Sequence, residues 1–247
     1  MRSGALKRSS ARTADPATGT GGPGGAEPTG RGRPGGSGTL VGSAGPSGPG
    51  GSSPARFVAL AARWVDEGRR LDMQGLADEL GVSRATLFRH VGGREDLLSK
   101  ALWTLSQRTL QIAAARWEAE RRSEELHAPG TGRHLNAIVS QSKGLRRLLD
   151  DEPALALRVL TDPRGRVQNG IVTFIEALLR RDMAEFGLVS LIEPNALAYA
   201  LVRMGESFLY ADVLAARQPD VATADRLQQA LLEGSVVRPA VAAAAGR

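Results

Sequence analysis

The 247-residue chain contains no cysteine. That excludes disulfides, cysteine nucleophiles and thiolate metal sites together, and it fits a reducing compartment. Histidine is nearly as scarce, with 3 in the whole chain, so a histidine-built metal centre is not expected and no cofactor is implied. No apolar run approaches the ~18 uninterrupted residues of a membrane span. The opening MRSGALKRSS also lacks the apolar stretch of a secretory signal. These absences describe a soluble cytoplasmic chain with no membrane partner. Aromatics are few, and no β-branched run alternates with period two, which argues against a sheet-based fold. Enzyme signatures are missing as well: there is no Gly-x-Gly-x-x-Gly after a strand, no phosphate loop, no Gly-x-Ser-x-Gly and no His-Glu-x-x-His. A catalytic site is not expected.

Glycine and proline are plentiful but confined. Residues 1–54 hold 16 of the 30 Gly and 7 of the 13 Pro, with almost no large apolar side chains. Such a segment buries too little surface to offset its ordering entropy, so residues 1–53 read as a disordered tail. The tail carries +4 of the net +6, leaving +2 for the remainder. The basic balance therefore belongs mostly to the tail. Within it, Arg31-Gly32-Arg33-Pro34 resembles the core of an AT-hook, an extended Arg-Gly-Arg that lies in a narrow minor groove. A chance tetrapeptide in an inert Gly/Pro/Arg tail is the competing reading.

From Pro54 onward the periodicity is helical, and the expected fold is all-α. Ser53-Pro54 can start a helix whose apolar stripe is Phe57, Leu60, Ala61, Trp64 and Val65. Asp72 can cap Met73–Leu80, Ser83 can cap a short helix to His90, and a long helix spans residues 94–122. After a break at Ala128-Pro129-Gly130, further helices are expected near 134–149, 153–160, 167–186, 194–217 and 220–233.

Residues 72–91 have the spacing of a helix-turn-helix. Ala77 is small enough for a steep helix crossing, Gly81 suits a positive-φ turn four residues on, and Leu87 plugs the second helix onto the first. The second helix carries two arginines, two hydroxyl residues and no acid, a surface suited to phosphates and base edges. An ordinary helical hairpin with a solvated arginine face is the alternative.

The run Val-Ser-x-x-Thr-Leu-Phe-x-His-Val-x-x-Arg-Glu-x-Leu-Leu at 82–98 resembles the DNA-binding domain of the TetR family of transcriptional regulators. The resemblance covers about residues 55–100. Three positions depart from it: the family usually has Tyr at Phe88, Phe at Val91 and Lys at Arg94. It implies that Arg84, Ala85, Thr86 and Arg89 face the major groove of double-stranded DNA. Ser83, Phe88, His90 and Arg94 fall at backbone-contacting or capping positions, with Arg94 keeping the charge of a phosphate clamp. It further implies a homodimer on a pseudo-palindromic operator, and a ligand-responsive repressor role. An architectural or non-specific DNA binder acting through the basic tail is the competing function.

The helix expected at 194–217 has two faces. Leu197, Leu201, Met204 and Phe208 form an apolar stripe, and Tyr199, Arg203, Glu206 and Tyr210 form a polar stripe opposite. The polar stripe suits either convergent groups in a small-molecule pocket or a self-satisfied ladder at a helix interface. Gln168-Asn169-Gly170 together with the run from Leu197 to Asp212 resembles the QsdR-like branch of the same family. That resemblance implies dimerisation through 194–233 and an inducer of lactone or fatty-acyl-like character. The organisation expected is a tail at 1–53, a DNA-binding domain at 54–100, a regulatory and dimerisation domain at 101–234, and a flexible tail at 235–247.

Overall fold

The computed structural model describes residues 53–238, so the expected N-terminal tail, its Arg31–Pro34 motif and residues 239–247 lie outside the described residues. Among the described residues eleven helices follow one another: α1 (Pro54–Asp66), α2 (Met73–Leu80), α3 (Arg84–Val91), α4 (Arg94–Glu120), α5 (His127–Ser140), α6 (Lys143–Asp151), α7 (Pro153–Thr161), α8 (Arg166–Phe186), α9 (Pro194–Leu209), α10 (Ala211–Ala215) and α11 (Val221–Ser235). The all-α class holds. A two-residue antiparallel pair, β1 (Val189–Ser190) with β2 (Val236–Val237), ties the end of α11 to the α8–α9 connection. Residues 235–237, expected in a flexible tail, are therefore part of the body.

The expected break at Ala128-Pro129-Gly130 is a helix start. Pro129 stands in the first turn of α5, where a missing N–H removes no intrahelical bond. The free amides of His127 and Ala128 are taken by the buried Asp182 of α8, at 2.6 and 2.9 Å. Gly130 is required by a close approach, because a Cβ there would lie 1.9 Å from the Trp117 ring. The helix expected at 134–149 is instead two, since Ser142 caps α6 by accepting from the Leu145 amide. The helix expected at 194–217 stops at Leu209, and Tyr210 turns the chain into α10.

Two apolar clusters organise the body. One joins α1–α4 to α6 and α7, with Phe57, Leu76, Leu87, Leu97 and Leu149 almost fully buried. The other lies among α8, α9 and α11, around Ile175, Leu179, Leu197 and Val202. The first cluster runs without interruption from the N-terminal helices into α6–α7. The three-helix head is thus packed onto the regulatory helices rather than tethered to them.

Candidate nucleic-acid interface and ligand cavity

The α2–α3 turn is built by local chemistry. Asp72 accepts from the Gly75 amide at 2.7 Å and starts α2, and Gly81 ends it at φ 68°, ψ 32°. Ser83 then caps α3 through the Thr86 amide at 3.0 Å. Ala77 and Leu87 are both 0% exposed, which places the small residue at the crossing and the aliphatic plug beneath α3. Leu87 and Val91 are the buried side of α3, so every other side chain of that helix faces outward or partly so.

Of the eight residues assigned to DNA, Ser83, Arg84, Ala85, Phe88, Arg89 and His90 are exposed and Thr86 is half-buried. Phe88, at 61% exposure, is the more notable because a large apolar ring gains nothing from water. Arg84 and Arg89 have no ion-pair partner among the described residues, and Arg89 reaches only the Thr86 hydroxyl, at 3.4 Å. Glu79 of α2 is turned away and held by Arg63 at 2.6 Å and by Arg69 at 3.5 Å. An acid-free cationic surface therefore stands alone on α3. His90 stacks edge-on to Phe57 with ring centroids 5.6 Å apart, which gives it a packing role as well.

Arg94 is placed differently from the expected phosphate clamp. Its Nε donates to the Leu71 carbonyl at 2.6 Å, and its two terminal nitrogens donate to Glu152 at 2.8 and 2.5 Å. The carboxyl of Glu152, at the α6–α7 corner, is lowered from its ordinary pKa, first by its hydrogen bonds from Arg94. The residue joins the start of α4 to the regulatory helices. Asp150 and Asp151 end α6, where Arg147 pairs with Asp151 at 2.8 Å, and Glu152, between α6 and α7, forms this link.

A cavity of about 480 Å³ lies between the two apolar clusters, within the range of roughly 300–1,000 Å³ usual for small-molecule pockets. Leu102, Leu160, Val167, Ile175, Val202 and Leu232 represent both clusters in its walls. Val65 and Asp66 of α1 and Ser142 and Leu145 at the start of α6 also line it. The N-terminal head thus forms part of the cavity wall.

The polar stripe divides across the surface of α9. Glu206 and Tyr210, each 7% exposed, line the cavity. Tyr199 is 46% exposed and, with Arg203, stays outside it. The helix expected to run to 217 ends at Leu209, and Tyr210, at the turn that follows, is buried. Arg203 does pair with Glu206, at 2.6 Å, while no hydrogen bond joins Tyr199 to Arg203 among the described residues. Burial pushes the Glu206 carboxyl up to about 7, against the pull of Arg203 and of the Gln168 amide, which donates at 3.2 Å. Burial raises the Tyr210 phenol too, and the nearby Glu206 adds to the rise. Its hydroxyl has no hydrogen-bond partner among the described residues.

Sequence reasoning missed a second polar group in the cavity. Asn136 of α5 donates to Asp225 at 2.7 Å and to Gln228 at 2.8 Å on α11, and Gln228 in turn donates to the Leu201 carbonyl at 2.8 Å. Three separate helices meet in this network, and no spacing within one helix announces it. Of Val139, Leu155, Ile171 and Phe174, apolar residues that could build a pocket had the stripe been an interface, Val139 and Ile171 line the cavity.

Residues 129–233 match the family described as tetracyclin repressor-like, C-terminal domain. Among solved structures, the transcriptional repressor QsdR of R. erythropolis, from the TetR family, is 28% identical, with 73% of this chain and 94% of that one covered at a TM-score of 0.65. The multidrug binding protein EbrR, complexed with imidazole, is 19% identical over 75% of this chain and 90% of its own, with a TM-score of 0.46. The TetR-family transcriptional regulator PfmR from Thermus thermophilus is 19% identical over 72% of this chain and 97% of its own, with a TM-score of 0.38. No curated protein matches the chain.

Proposed function

We propose that this chain, a member of the TetR family of transcriptional regulators, is a ligand-responsive repressor that reads its operator with α3 and binds its effector in the cavity. The family is one of DNA-binding regulators, not enzymes. The observation that carries the reading is the pairing of an exposed, acid-free α3 with a cavity partly walled by α1 of the same head. The R. erythropolis relative is itself a repressor, which supports repression over activation.

Arg84, Ala85, Thr86 and Arg89 are assigned to the major groove, and Ser83, Phe88 and His90 to the flanking backbone. Two such heads need a dimer. The outer faces of α9 and α11 supply its contact, where Tyr199 and Leu227 leave large apolar area in water. Homodimerisation through 194–233 sets the two α3 helices about one turn of DNA apart. Helix α6 is the connecting element. Its first turn borders the cavity, and the corner at its end is held to the start of α4 by Glu152 and Arg94. An effector that displaces α6 shifts α4 and with it α3. A differential affinity of ~1–3 kcal/mol between the two arrangements is enough to release DNA.

The test is operator binding by fluorescence anisotropy on an inverted repeat taken from upstream of the gene. Arg84→Ala with Arg89→Ala should weaken binding by ~1–3 kcal/mol for each contact and leave melting unchanged. Unaltered affinity for the inverted repeat in the double variant refutes the α3 assignment. Equal affinity of the unaltered protein for random duplex refutes sequence-specific reading and favours a non-specific binder.

A further inference from the structure

The cavity lining includes six charged side chains, and they differ in whether they are already engaged. Glu206 is held by Arg203 and Gln168, and Asp225 by Asn136. Asp66, where α1 meets α6, is exposed and has no side-chain partner among the described residues. The other three are arginines: Arg108 and Arg116 of α4 and Arg133 of α5. None of them has an ion-pair partner or a hydrogen bond to a side chain among the described residues, and all three are solvent-exposed.

Their placement is regular. Arg108, Ile112 and Arg116 follow at four-residue steps and share one face of α4. Ile112 keeps 36% of its surface exposed between the two guanidinium groups. Arg133 stands on the adjoining α5, its guanidinium carbon 5.1 Å from the centre of the Trp117 ring, which restricts it without neutralising it. Three exposed guanidinium groups thus border a cavity whose buried lining includes the aliphatic Leu102, Leu160, Ile175 and Leu201. Guanidinium groups with no anion among the described residues are poised for a planar or tetrahedral oxyanion, and the aliphatic part of the lining suits a hydrocarbon body.

Resting on the effector reading of this cavity, we propose that Arg108, Arg116 and Arg133 recognise the head of an anionic single-chain amphiphile, a carboxylate or a phosphate, whose chain enters the cavity. Against one unpaired lining acid, Asp66, stand three unpaired arginines, which favours an anionic head over a cationic one.

Isothermal titration of the full chain with decanoate, decyl phosphate, decan-1-ol and decyltrimethylammonium tests this. The expected result is that decanoate or decyl phosphate binds at least tenfold more tightly than decan-1-ol and competes with it. The triple variant Arg108→Gln, Arg116→Gln, Arg133→Gln should bring the anion to the affinity of the alcohol and leave the alcohol unchanged. Whichever anion binds more tightly identifies the head. If the alcohol binds as tightly as either anion, the cation binds best, or the triple variant changes nothing, the anion assignment is overturned while the cavity remains an effector site. If no decyl compound binds and none alters operator affinity, the effector reading falls along with it.

Discussion

Replacing Glu206 by glutamine should change the shape of the stability curve against pH, not merely its height. The folded protein holds the Glu206 proton up to about 7, whereas the unfolded chain releases it near the ordinary 4.5. Between those values the native state binds more protons than the unfolded state, so stability falls as pH rises and levels off above about 7. By linkage these values correspond to a loss of about 2–3 kcal/mol between pH 5 and pH 8. Glu206 is 7% exposed, so solvent screening takes little from that figure. Glutamine is nearly isosteric, keeps a hydrogen-bonding oxygen and has no proton to lose. Loss of the charge pairing with Arg203 adds only a small loss of its own, because that guanidinium is 41% exposed. Urea denaturation of both proteins near pH 5 and pH 8 reads the outcome. Glu206→Gln should gain on the natural chain by about 2 kcal/mol or more over that interval. Parallel curves, or a variant that loses ground as pH rises, would refute a buried carboxyl with a raised pKa.

Three other substitutions probe the remaining architecture. Gly130→Ala forces a methyl group into the Trp117 ring and should cost on the order of 1–3 kcal/mol, read as a lower urea midpoint at unchanged slope. Leu87→Ala empties the site beneath α3 and should cost ~2–5 kcal/mol; a loss under ~1 kcal/mol would mean that α3 is not seated as described. Arg94→Gln should destabilise the fold by ~1–3 kcal/mol by leaving Glu152 without its bidentate partner. The same change should leave the salt dependence of operator binding unaltered, whereas a lost phosphate contact lowers that slope by about one.

The sequence by itself determined the elements whose causes are local. Asp72, Gly81 and Ser83 each act within four residues of themselves, so α2, the turn and the start of α3 were legible to the residue. The all-α class followed in the same way from periodicity, and the Arg203–Glu206 pair from a three-residue spacing. What tertiary structure decided involves partners far apart in the chain. Pro129-Gly130 reads as a breaker until Asp182 supplies the missing acceptor and the Trp117 ring fills the space beside the glycine. Arg94 reads as a phosphate clamp until Glu152, 58 residues away, takes its guanidinium. The polar stripe on α9 reads as one surface, yet the cavity meets only its C-terminal part, Glu206 and Tyr210, and leaves Tyr199 outside. A helical wheel gives the direction of a side chain about its own axis. It carries no information about which other helix lies in that direction, and a cavity exists only as the space several helices leave among them.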